Sequence, residues 1–266
     1  MISEKKFLVD VGIAELAFPM RVISKAKAEG QHTIATISIN ARIMQEFEAR
    51  WIDKFIQIVH AHRDKIGTET LKINIMDYLR ELNASSVSIN FEYPFFIEKK
   101  TPKSREKSLV KYLCNYSCRA SSTADPRIIF KMQIPCITTY PGSAPDKEGG
   151  LFGQLSVVHI EIETKMDFYP EDLVGLVDRK SLSPVFSYLT EKDQHAIIQK
   201  IHSKEISSVS MIQEIKNELA ADSKIDWYLV RCFNYGMLHG FSTVITTEKS
   251  RWVPFSGYSS GEEDKI

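Results

Sequence analysis

Few side chains in this chain could carry chemistry, and they are scattered. His239 suits general acid or base work, since an imidazole changes charge near neutral pH; a satisfied structural histidine is the equal alternative. Tyr140 could give a hydrogen bond or a proton to a ligand, or simply fill space. Gln194 suits recognition of an amide-like ring edge, or is a surface helix glutamine. Cys114 and Cys118 fall on one face of a strand with no partner ligands nearby in sequence, so buried thiols fit them better than a metal pair. Cys136 and Cys232 read as core strand residues, with a nucleophilic role the lesser option. His60 and His62 stand near a helix end and read as solvated or dipole-favoured. His159, Glu161 and Glu163 alternate with apolar residues and read as a wet sheet face. No glycine-rich phosphate loop of the P-loop or dinucleotide kind is present.

The elements that must position these groups follow from periodicity. The alternating, β-branched stretch 31–39 predicts a strand. Trp51, Ile52, Phe55, Ile56 and Val59 recur at helical spacing and predict a helix over 49–62, with a second over 70–82. Strands are predicted over 86–97, 109–122 and 127–140, with a turn at Asp125 and Pro126. The same order then returns: a strand over 154–163, helices over 171–179, 191–202 and 208–220, and strands over 227–233 and 238–247. Pro170 before Glu171 and Asp172 is a good helix start. The stretch 141–150, rich in Pro, Gly, Asp and Lys, reads as a hinge. Two modules are expected, 1–141 and 150–256, followed by a polar tail over 257–266. The fold class expected is α+β, an antiparallel sheet with helices on one face.

Bulk composition excludes several classes. The chain has 266 residues and formal net charge zero, with 34 basic against 34 acidic side chains. Neither a nucleic-acid nor a membrane-surface partner is indicated. The basic run 98–107 is interrupted by acids and reads as a solvated loop. Four cysteines in a chain of this length do not make a disulfide framework. No apolar run approaches membrane-spanning length and the N-terminus lacks a signal-peptide core, so a cytoplasmic location is the expectation.

Several segments in order resemble the type IB GTP cyclohydrolases. Gln31-His-Thr-Ile-Ala-Thr36 is close to that family's Gln-His-Thr-Val-Ala-Thr, and Asp10-Val-Gly-Ile13 with Phe18-Pro19 resembles its opening strand. Phe91-Glu-Tyr-Pro-Phe-Phe-Ile-Glu-Lys99 with Pro102 and Ser104, Gly150-Leu-Phe-Gly-Gln-Leu-Ser156, Ser183-Pro-Val-Phe-Ser-Tyr-Leu189 and Asn234-Tyr-Gly-Met-Leu-His239 continue the match. Ile134-Pro-Cys-Ile-Thr-Thr-Tyr-Pro-Gly-Ser143 resembles the family's metal loop, Val-Pro-Val-Thr-x-Leu-Cys-Pro-Cys-Ser. The resemblance implies a bimodular tunnelling fold, assembled as a homotetramer around a β-barrel with active sites at subunit interfaces. It also implies hydrolysis of GTP to dihydroneopterin triphosphate with a divalent metal.

The same alignment implies that the metal sphere is rewritten. Tyr140 stands for the family's metal-binding cysteine and Gly142 for its second cysteine. Phe152 stands for a histidine, Gln194 and Gly236 for glutamates, and Phe241 for the second histidine of a His-x-His pair of which His239 remains. The glutamate that anchors the guanine edge falls at Val209, and Ala49-Arg-Trp-Ile-Asp-Lys-Phe55 replaces Gly-Thr-His-Met-Ser-Arg-Phe. The expectation is therefore a repurposed, metal-independent enzyme acting on a small purine- or pterin-like ring. His239, Tyr140 and Gln194 are its candidate catalytic residues; Phe152, Gln154, Val209 and His32 are its candidate ligand-binding residues. No cofactor is expected, and zinc, iron or manganese only with a different ligand set. The alternatives are a non-catalytic ligand-binding or regulatory relative, and an active GTP cyclohydrolase with a rebuilt metal site.

Overall fold

Period-two alternation decides the sheet. Val87, Ile89, Phe91, Tyr93 and Phe95 of β3 (Ser86–Lys100) are buried on one side of their strand. Register carries that buried face across the neighbours: Phe91 lies opposite Tyr116, Tyr116 opposite Phe130, Phe130 opposite Ile162, and Ile162 opposite Tyr228. The computed structural model describes residues 9–43 and 51–249. Its further strands are β1 (Val9–Val22), β2 (Gln31–Ile43), β4 (Lys107–Ser121), β5 (Ala124–Thr139), β6 (Gly153–Thr164), β7 (Ser183–Pro184), β8 (Ile225–Tyr235) and β9 (Ser242–Glu248). They form one antiparallel sheet in the order β1-β2-β3-β4-β5-β6-β8-β9, with the short β7 beside β5. The sheet is open, with β1 and β9 at its edges.

The helices cover the apolar face. They are α1 (Trp51–Ala61), α2 (Thr68–Glu81), α3 (Pro170–Lys180), α4 (Glu191–Ser203) and α5 (Ser208–Ala221). α2 packs on β3, β4 and β5, α3 on β5, and α5 on β8 and β9. α3 starts at Pro170, with Glu171 and Asp172 in its first turn and Arg179 and Lys180 in its last, as the helix dipole favours. The opposite face is polar and carries cross-strand ion pairs. Glu161 meets both Lys131 and Arg231, and Arg127 meets Glu163.

Pro94 explains the first half of the Gln-His-Thr motif. The β2–β3 ladder runs from Arg42 opposite Ser86 to Thr36 opposite Glu92 and stops, since Pro94 has no N–H to donate. Side chains take over from there. Thr33 Oγ1 donates to the Pro94 carbonyl at 2.8 Å. Gln31 Nε2 donates to the Phe96 carbonyl at 2.9 Å, and its Oε1 accepts from the Phe96 N–H at 2.8 Å.

Three sequence expectations are corrected here. Asp125 and Pro126 do not turn; they lie inside β5, and the reversal from β4 falls at 122–123. β9 begins at Ser242 rather than 238, because Leu238 sits in an exposed loop. The basic run 98–107 is more than a solvated loop. Lys99 is buried against Asp178 of α3 at 2.6 Å, and the N–H groups of Lys103 and Ser104 donate to the buried Asp193 of α4 at 2.8 and 2.9 Å. The hinge expected over 141–150 is the connection between β5 and β6, which pair from Ile129–Glu163 to Thr139–Gly153. Of the first helix, Ala49 and Arg50 lie outside the described residues, as do 250–256 and the tail 257–266.

Candidate functional site

Tyr140 follows directly on β5, and the loop after it is pulled tight. Its N–H donates to the Phe152 carbonyl at 2.9 Å, while Ser143 Oγ donates to the Tyr140 carbonyl at 2.7 Å. The ring of Tyr140 stacks on Phe152, centroids 4.9 Å apart and planes 18° from parallel. Two glycines flank its edges. A Cβ on Gly142 would lie 2.7 Å from Tyr140 Cε1, and one on Gly236 would lie 3.2 Å from Cε2. Tyr140 is only 9% exposed. Tyr140, Gly142, Phe152 and Gly236 are thus one packed unit, in which the small residues admit the large ones.

A cavity of about 220 Å³ opens beside this unit, between Tyr140 on one side and His239 and Phe241 on the other. His239 and Phe241 form a second stacked pair, centroids 4.9 Å apart and 15° from parallel. Gln154, Asn234 and Thr243 complete the polar lining. Beneath them runs a buried chain of hydrogen bonds. Thr138 and Ser156 hydroxyls are 2.7 Å apart, Ser156 Oγ donates to Asn234 Oδ1 at 2.7 Å, and Asn234 Nδ2 donates to Ser208 and Thr243 at 3.1 and 3.3 Å. Cys232 lies below the same amide; burial pushes its thiol up to about 12, so it is no nucleophile near neutral pH. The other three cysteines are buried too, and burial raises each of them.

The structure brings Tyr140, Gln154 and His239 to this pocket, stacks Phe152 on Tyr140, and leaves the other candidates elsewhere. Gln194 sits exposed in the first turns of α4, its Nε2 donating to the Leu189 carbonyl at 3.5 Å. Val209 is 63% exposed on α5. His32 lines a separate groove of about 460 Å³, with Arg21 and Arg63. His62 is not a merely solvated helix-end residue: its Nε2 is 2.7 Å from Asp77 of α2. Asn234, Thr243 and the serine–threonine chain were not singled out from sequence. Their signal was present, since Thr138, Ser156 and Asn234 are polar residues on otherwise apolar, inward-facing strand stripes.

A divalent metal, which the family pattern implies, does not fit these residues. The pocket offers one imidazole, a phenol and side-chain amides, whereas such a site needs three or four convergent imidazole, thiolate or carboxylate ligands. Among the described residues no group of three or more His, Cys, Asp or Glu is placed to hold a metal ion. No helix among them is long and apolar enough to cross a membrane.

An open antiparallel sheet with helices on one face is an α+β architecture also found in uricases. The uricase of Arthrobacter globiformis superposes with a TM-score of 0.54 at 10% identity, covering 95% of this chain and 96% of that one. The urate oxidase of Bacillus sp. TB-90 gives 0.54 at 8% identity over 91% and 99%. Residues 3–244 match the family model of type I GTP cyclohydrolase folE2, and the chain belongs to that family. The folE2 family takes the place of the type IB label read from the motifs. GTP cyclohydrolase FolE2 of Geotalea uraniireducens (strain Rf4) is 28% identical over 241 residues, 91% of this chain and 88% of the relative. That of Citrifermentans bemidjiense is 26% identical, covering 91% and 89%.

Proposed function

We propose that this chain acts on a purine- or pterin-like ring, GTP first among the candidates, in the pocket between Tyr140 and His239, without a divalent ion held by the protein. The observation that carries the proposal is the Tyr140–Phe152 stack with its flanking glycines, which occupies the positions where the family pattern has metal ligands. The name shared by the relatives sets GTP ahead of an unrelated substrate, against the expectation of a wholly repurposed reaction. The cavity is large enough for a bicyclic ring and too small for a whole nucleotide, whose remainder extends into solvent.

In this reading the two stacked pairs hold the ring by its faces. His239 takes a proton from the attacking water, and the new C–O bond forms at an electron-poor ring carbon. The electrons of the C=N bond move to nitrogen, which receives a proton from Tyr140. The repeat of element order supports two fused modules, 1–141 and 150–256, β6 heading the second, and the open edges β1 and β9 support closure into a multi-copy barrel such as a homotetramer.

The test is elemental mass spectrometry of the purified protein beside GTP turnover with and without chelator. Turnover that survives metal removal is expected. Stoichiometric zinc, iron or manganese together with chelator-sensitive formation of dihydroneopterin triphosphate would overturn the metal-free reading. It would establish the second one, an active cyclohydrolase with a rebuilt metal site, which family membership favours. Tight binding without turnover would leave a non-catalytic binding protein.

A further inference from the structure

Gln154 is the one amide of the pocket whose oxygen is left for a ligand. Its side chain is 4% exposed and lines the cavity. Its Nε2 donates to Thr138 Oγ1 and to the Thr139 carbonyl, both at 3.3 Å. A carbonyl can only accept, so the nitrogen end of the amide is fixed there and the network assigns which end is oxygen. Asn234, by contrast, is spent at both ends on Ser156, Ser208 and Thr243. An acceptor held in place by its neighbours and open to the cavity, without a partner of its own, is the element that discriminates between ligands, because leaving it unpaired once a ligand covers it is costly.

We infer that Gln154 Oε1 is the specificity-determining acceptor of this pocket and reads a single lactam N–H on the edge of a planar heterocycle. The inference rests on the proposed function and narrows it to a substrate class: oxo-purines and pterins, which share that N–H. A carboxylate would pair with two donors at once, as guanine N1 and N2 offer. A neutral amide oxygen needs only one, and the 2-amino group is not demanded. Inosine and guanosine are therefore equivalent for this site, while a ring methylated at that nitrogen presents no donor and adds bulk where the acceptor sits.

Titration calorimetry of the full chain with inosine, guanosine, N1-methylinosine and neopterin tests this. Inosine and guanosine are expected to bind within about threefold of each other, and N1-methylinosine at least tenfold more weakly than inosine. Gln154→Leu should abolish the difference between inosine and its methylated form. The methylated ligand probes the unmodified protein, so a misfolded variant leaves the test intact. Equal binding of inosine and N1-methylinosine would overturn the inference alone, as would guanosine binding tenfold tighter than inosine. Failure of all four ligands and of GTP to bind would overturn the proposed function itself. Tighter binding of neopterin, with inosine still losing affinity on methylation, supports the lactam reading and places the substrate among the pterins.

Discussion

A side chain at Gly142 would collide with the ring of Tyr140: a Cβ there lies 2.7 Å from Cε1. Phe152 stacked on one face leaves the ring little room to yield. Gly142→Ala is therefore expected to destabilise the protein by about 1–2 kcal/mol through overpacking. In a Tyr140→Ala background the same change should cost close to nothing, and thermal unfolding of the four proteins in the cycle measures the coupling. An unchanged cost in both backgrounds would mean that the two positions are independent.

The same packed unit predicts how a metal site could be built. Tyr140→Cys and Phe241→His would add a thiolate and an imidazole to the pocket that His239 lines, and Phe152→His a second imidazole at the position stacked on residue 140. Such a set suits a tetrahedral ion. The triple variant is expected to bind cobalt(II) with visible thiolate-to-metal absorption, while the unmodified chain shows none.

Lys99 and Asp178 join β3 to α3 through an ion pair of 2.6 Å, with Lys99 Nζ 5.3 Å from the centre of the Tyr112 ring. Burial pulls the ammonium down and pushes the carboxyl up, and each partner partly offsets the shift in the other. Asp178→Asn leaves a buried cation unpaired and is expected to cost about 3 kcal/mol in denaturant unfolding. Lys99→Met with Asp178→Leu should recover most of that loss. A double variant as unstable as the single one would refute the argument.

Asp193 gives the acid limb of the stability curve. Desolvation alone would raise its carboxyl, but hydrogen bonds from the Ser104 and Thr190 hydroxyls and the Ser104 and Lys103 N–H groups outweigh it and hold it well below the usual carboxylate range. A lowered folded value stabilises above the unfolded carboxylate value of about 4, and that stability is lost as pH falls through the folded value. Asp193→Asn should flatten the loss of stability below about pH 4 and lower stability at pH 7. Chemical denaturation across pH 2–8, on the order of one scan per unit, reads both effects.

Gln31 substitutes for a backbone ladder that Pro94 interrupts. Removing its amide in Gln31→Leu takes two hydrogen bonds from Phe96, worth about 1–2 kcal/mol together. Hydrogen exchange of the Phe96 N–H should quicken by roughly tenfold, following the 1.4 kcal/mol that corresponds to one decade. Unaltered exchange there would show that the ladder closes without the side chain.

Much of this fold was legible in the chain. The strand over 86–97 became Ser86–Lys100 and the helix over 208–220 became Ser208–Ala221, because alternation and helical spacing are local signals. The misreadings were local too. Pro126 looked like a turn, but it stands at the start of β5, where the ladder to β4 is irregular between Arg119 and Ser121 and a missing N–H is tolerated. Gln194 and Val209, placed by alignment, lie on the surfaces of α4 and α5, which is no misreading for residues expected at subunit interfaces.

By itself the sequence determined the order of strands and helices, the inward stripes and the kinship with the cyclohydrolases, all of which depend on residue type and spacing along the chain. Only the tertiary structure decided that Tyr140, Gly142, Phe152 and Gly236 pack as one unit and that the Gln154 amide nitrogen is tied back to β5. The physical reason is register. β5 pairs with β6 and β6 with β8, and that pairing brings together side chains far apart in sequence.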